Sequence, residues 1–222
     1  MFLSRTLLPL ATAALLAAAP APASPPVWEF DPVHTRIAFA VDHAGFSRSL
    51  GTFSGVTGTL VFDPEQPAQA QVQVEVPVDG LDFGDERWNR AALAGNLLDA
   101  ATHPVARFRS TRVEPLDDGR TIVHGVLELR GVSREIRLDA TINAVRRHPL
   151  PPFRRTAGFS ATATLSRADF GISAWRSLIG DAVELRIEAE ATRMRDPGPA
   201  TDPAPAQDES DPAPDIEADP ET

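Results

Sequence analysis

Apolar and polar residues alternate along most of this chain. In LELRGVSREIRLDATI, residues 127–142, Leu127 and Leu129 exchange with Glu128 and Arg130; Ile136, Leu138, Ala140 and Ile142 then exchange with Arg137, Asp139 and Thr141. A period of two marks a strand with one dry face and one wet face. The break at Gly131-Val132-Ser133 predicts a hairpin between two such strands. The rhythm recurs in TRIAFAVDH, TGTLVFD, AQVQVEVPV, VARFRSTRV, AGFSATATLSR and AVELRIEAEATR. Pro77, which has no N–H for a ladder bond, predicts an edge or opening at its end of a strand.

One stretch departs from this rhythm. In residues 84–101, GDERWNRAALAGNLLDAA, the spacing of Trp88, Ala91, Ala92, Leu93, Leu97 and Leu98 predicts a short helix or two broken turns, with Gly95 as the stop. About eight strands with short turns and one helical insertion give an all-β chain. Its antiparallel strands either close into a barrel or stack as a sandwich. Closure removes exposed edges, and a barrel of about eight strands holds side chains or one small ligand.

Several apolar faces are small: Ala140 and Ala144, Ala161 and Ala163, Ala189 and Ala191. Such a lining predicts unfilled apolar space for an apolar ligand. The alternative is that the helix, or Phe39, Phe53, Phe108 and Phe159, fills that space.

The ends of the sequence read differently from its middle. Residues 1–23 combine Arg5, an apolar run from Leu7 to Ala19, and Ala21 and Ala23 at a cleavable spacing. That predicts a Sec-type secretory signal peptide and a periplasmic or secreted protein. Residues 196–222 hold nine acidic residues, seven prolines and no basic residue, so this acidic Pro/Ala-rich tail is expected to be disordered. The tail carries most of the net charge of −10, and residues 24–195 carry only −2. No later run is long and apolar enough to span a bilayer, so stable membrane insertion is not expected. Every basic residue is Arg, spread evenly and without an aromatic stripe, which argues against nucleic-acid binding. With no cysteine, a disulfide framework, thiol catalysis and lipid-modified cysteine are all excluded.

Enzyme motifs are missing too. The five His, at 34, 43, 103, 124 and 148, show no HxH or HExxH spacing for a metal, and there is no GxSxG or phosphate loop. A non-enzyme without a metal or cofactor is expected.

Several motifs in one order then carry a family resemblance. They are WEFDPVHTRIAFAVDHAGFSRSLGTFSGVTGTLVFDP, GDERW, THPVARFRSTRVEP, HGVLELRGVSREIRLDATI, AGFSATATLSRADFGI and GDAVELRIEAEA. Together they span almost all of residues 27–193 and resemble the YceI-like family of bacterial polyisoprenoid-binding proteins. Arg87-Trp88 stands where the family usually has Arg-Asp, and Leu97-Leu98-Asp99 replaces a Phe-containing pair before Asp. The resemblance implies an extended antiparallel eight-stranded lipocalin-like barrel over residues 24–195. It also implies a long isoprenoid lipid, a polyprenyl chain or quinone tail, as the bound partner.

The expected wall is Phe39, Val41, Leu60, Phe62, Val74, Phe108, Leu127, Leu138, Phe159 and Leu185, with His43 and Arg87 as headgroup contacts. Asp169 is expected to fix the turn before Phe170-Gly171. The role would be that of a carrier or sequestering protein, and a homodimer is compatible with the sequence. Two other readings stay open: a β-sandwich interaction module, and a hydrolase of lipid-like substrates.

Overall fold

The computed structural model describes residues 24–195, so the expected signal peptide and acidic tail lie outside the described residues. Eleven strands form one sheet: β1 (Val27–Phe30), β2 (Arg36–His43), β3 (Ser47–Phe53), β4 (Thr57–Val61), β5 (Gln71–Pro77), β6 (Leu81–Asp82), β7 (Val105–Pro115), β8 (Arg120–Leu129), β9 (Val132–Arg147), β10 (Arg155–Ser166) and β11 (Ile179–Arg193). Among the described residues the one α-helix, α1 (Glu86–Leu93), lies between β6 and β7. Eight strands close a ring in the order β1-β4-β5-β7-β8-β9-β10-β11, with β11 returning to β1, and all of its pairs are antiparallel. The ring rules out a two-sheet sandwich.

The remaining three strands branch from β11. That strand pairs with β1 at Ala191–Arg193 and, along the same edge, with β2 at residues 179–188. Between these contacts the chain steps aside at residues 31–35. There the Asp31 N–H donates to the Glu190 carbonyl at 2.8 Å, and the buried Thr35 hydroxyl faces the same carbonyl at 3.5 Å. The β2 strand pairs with β3, and β3 meets the two-residue β6 at Thr52 and Phe53. At the end of the barrel that β2 and β3 serve, the wall is completed by residues 78–98, which join the sheet only through the short β3–β6 pairing.

The opening hairpin is tighter than its sequence suggests. Strand β9 begins at Val132, so the turn is Arg130-Gly131, both at positive φ (53° and 71°). Two consecutive residues of that hand twist in the sense the flanking strands require. Positive φ is unusual for Arg, and its guanidinium is engaged across the barrel end, as described below.

Two apolar clusters fill the end of the barrel that β1 closes. Trp28, Phe30, Leu60, Phe62, Ala157 and Ala191 form the first; Phe108, Val113 and Val123 form the second. Trp28 is 1% exposed and donates its indole N–H to the Phe62 carbonyl at 2.8 Å. Phe62 meets the Phe159 ring edge-on at 5.7 Å, a favoured aromatic geometry. Several of the small faces therefore meet the second expectation, that rings fill the space they leave. Ala157 pairs with Ala191, and Ala191 also pairs with Phe30, so small side chains make room for rings from other strands. Ala140 and Ala189 likewise pack against these clusters.

Trp28→Ala is expected to lower unfolding free energy by about 3–5 kcal/mol, as for other large aromatic truncations. Trp28→Phe should cost less, because it removes the hydrogen bond but keeps most of the volume. Chemical denaturation of both variants checks the order.

Candidate functional site

Away from those clusters the barrel interior is hollow. A cavity of about 490 Å³ is bounded by Ile37, Phe39 and Val41 of β2, Phe53 of β3, Leu127 and Leu129 of β8, Leu165 of β10, and Val183 and Leu185 of β11. These are the inward positions of the two-residue rhythm. The segment after β5 supplies Val78, Leu81, Phe83, Trp88, Ala92, Leu97 and Leu98, and residues 170–178 supply Phe170, Ile172, Trp175 and Leu178. Trp88, Trp175 and Leu178 are exposed as well as lining, so the cavity reaches the surface there.

Phe39 lies across Gly51. A Cβ built at Gly51 would stand 2.4 Å from the Phe39 ring, so only glycine leaves that space. Phe83 meets Phe39 edge-on at 5.1 Å, and Phe53 meets it at 5.4 Å. These rings pack together along one wall, while Leu127, Leu129, Leu165, Val183 and Leu185 give the ring strands β8, β10 and β11 an aliphatic lining.

Helix α1 is set by its N-cap. The Asp85 carboxylate accepts from the backbone N–H groups of Arg87 and Trp88 at 2.9 and 3.1 Å. This fixes the first turn and swings Trp88 over the mouth, where its ring is 5.4 Å from His43 and 5.8 Å from Phe83. The helix ends at Leu93 with Ala94 as its C-cap, one residue before the expected Gly95 stop.

The loop between β10 and β11 hangs on Arg167. This guanidinium is buried and donates to four carbonyls, those of Gly180, Ile172, Ala174 and Ile179, at 2.8–2.9 Å. Burial lowers its pKa from the usual arginine value, opposed by the nearby Asp181 charge. Asp169 does not fix the turn with its carboxylate. Instead, Ser166 accepts from the Asp169 backbone N–H, Asp181 accepts from the Ala168 N–H, and Gly171 takes the left-handed conformation. Arg130 ties this loop to the helical insertion by donating to the Gly171 carbonyl at 3.3 Å and the Gly95 carbonyl at 2.9 Å.

Of the twelve residues expected at the site, Phe39, Val41, His43, Leu127 and Leu185 line the cavity. Leu60, Phe62 and Phe159 belong to the first apolar cluster, Phe108 and Leu138 to the second, and Val74 packs against both. Arg87 is exposed on α1 and outside the cavity wall. The strand pattern gave the inward face but not the depth along it, and depth separates wall from filling. Trp175 and Leu178 lie in a segment without periodicity. Arg167 was hidden because a polar residue at the end of a strand pattern reads as outward, and Ser49 because its strand, SRSLGTF, carries no apolar alternation.

The comparisons agree with this architecture. The family model of the YceI-like domain matches residues 28–191. A UPF0312 protein of Pseudomonas savastanoi pv. phaseolicola is 34% identical over 159 residues, covering 72% of this chain and 82% of the relative. One from Pectobacterium atrosepticum is 31% identical over 195 residues, covering 87% and 100%. Among solved structures, BcnA of Burkholderia cenocepacia superposes with a TM-score of 0.66 at 22% identity, covering 73% of this chain and 99% of that one. A polyisoprenoid binding domain from Saccharophagus degradans, implicated in plant cell wall breakdown, gives 0.55 at 15% identity, covering 75% and 98%. The described residues form an antiparallel barrel with one short α-helix. The chain belongs to the YceI-like family.

Arg167→Ala strands four carbonyls and is expected to raise amide hydrogen exchange across residues 172–180 well before global unfolding. The Asp181 carboxyl is held below its ordinary value of 3.8, chiefly by a hydrogen bond from Ser166. Because the folded pKa is the lower one, its contribution is complete above the ordinary value and lost as pH falls through the depressed one. Exchange in this loop should therefore rise under acid in that window, and Asp181→Asn should remove the dependence.

Proposed function

We propose that this protein binds a long isoprenoid-type lipid, a polyprenyl chain or quinone tail, in the barrel cavity and acts as a carrier or sequestering protein of the cell envelope. The observation that carries the reading is a cavity of about 490 Å³ whose walls are almost wholly apolar and which opens at one end. That volume is in the range of about 300–1,000 Å³ found for small-molecule pockets. An isoprenoid tail offers no hydrogen bonds, so its affinity comes from removing apolar area from water at about 25 cal/mol per Å². Ordering the flexible tail offsets much of that gain.

The fold shared with the polyisoprenoid binding domain of Saccharophagus degradans supports the same ligand class. The apolar leader within residues 1–23 supports export. No helix among the described residues is long and apolar enough to cross a membrane. A carrier of this kind encloses the tail and leaves the bilayer with it. Its chemistry is non-covalent throughout, so no cofactor is required.

Native mass spectrometry of the protein purified from an exporting host is expected to show a lipid adduct that organic extraction removes. Val183→Trp fills the cavity and should abolish the adduct while a cooperative thermal transition persists. A wild-type spectrum at the bare polypeptide mass, with no uptake of added polyprenol, would rule the reading out.

A further inference from the structure

The cavity lining is apolar with four exceptions: Asp42, His43, Ser49 and Arg167. Three of these are otherwise accounted for. The Asp42 carboxylate accepts from the Gly45 N–H in the β2–β3 hairpin, at 3.1 Å. His43 is exposed and lies beside the Trp88 ring. Arg167 spends its donors on the four carbonyls of its loop.

Ser49 is different. It is 9% exposed, it faces the cavity from β3, and its hydroxyl has no hydrogen-bond partner among the described residues. The hydroxyl is not sealed in protein but opens onto the cavity, so whatever fills the cavity is its partner; a wholly apolar guest would leave it unpaired, a penalty that valine or alanine at this inward strand position would not carry. The group is therefore placed to be satisfied by what enters the cavity.

Its depth is fixed by the ladder. Ser49 pairs with Val41, and Val41 pairs with Val183, one inward step below the His43–Ser47 pair at the strand ends. All four polar lining residues lie in this mouth half, and the Trp28 cluster at the other end contributes none.

We propose that the Ser49 hydroxyl anchors an oxygen of the bound lipid. The cavity then selects isoprenoids carrying a hydroxyl or carbonyl group over bare hydrocarbons and holds that end in the mouth half. This rests on the lipid-binding reading above and adds a chemical preference and an orientation to it. A neutral oxygen is the matching group, because a hydroxyl donates to and accepts from alcohols and carbonyls alike.

The test uses the full chain, a polyprenol, and the hydrocarbon of equal carbon number that lacks the hydroxyl. Both are titrated against intrinsic fluorescence, which Trp88 and Trp175 at the lining make responsive. Wild type is expected to prefer the alcohol by about tenfold, the discrimination one neutral hydrogen bond supplies. Ser49→Ala should bring the two probes to near parity by weakening the alcohol alone, and its thermal midpoint should not fall. Ser49→Thr keeps the hydroxyl and should keep the preference.

Equal binding of both probes by wild type, or a preference that survives Ser49→Ala, overturns the anchor and leaves the lipid reading standing. Binding of neither probe by wild type overturns both.

Discussion

The edge of β11 is the constraint on which the rest of the structure depends. A strand edge must find partners for its N–H and C=O groups, and here one strand of 15 residues serves two partners in succession. Where β1 takes that edge, the ring closes and the interior is packed solid. Where β2 takes it, β2 and β3 flare away and the interior stays hollow. The short detour at residues 31–35 is the switch between these two regimes, and it is held by hydrogen bonds to Glu190. Solid floor and open mouth are thus two outcomes of one pairing rule.

Much of this fold was legible in the residues because burial imposes a period of two that survives any change in curvature. Ile37, Phe39 and Val41, or Val183 and Leu185, point inward in the structure as their spacing required. The short α-helix near Trp88 was legible for the complementary reason, a break in that rhythm. The division of strands between the ring and its branch was not legible, since β1 and β2 look like ordinary successive strands until their common partner is known. The turn at Arg130-Gly131 was misplaced by a residue because Arg is an unusual occupant of positive φ.

The site was legible only in part, for a reason of geometry. Periodicity reports which face a residue takes, but cavity and core share that face here. Phe62 and Phe39 have equivalent patterns, yet one lies against Trp28 in the floor and the other covers Gly51 beside open space. Alanines were ambiguous for the same reason: a small residue signals room, and only the register shows whether a ring from a neighbouring strand occupies it. The loops around the mouth follow capping and buried hydrogen bonding instead, so Arg167 and Asp85 emerge only from coordinates.

The Trp28 plug has a consequence for scale. Its indole is fastened to the backbone of Phe62, so the bottom of the chamber cannot recede to make space. On the lipid reading proposed above, a blind vessel of fixed depth limits its guest: with the oxygen held in the mouth half, a tail longer than the chamber has to double back on itself inside.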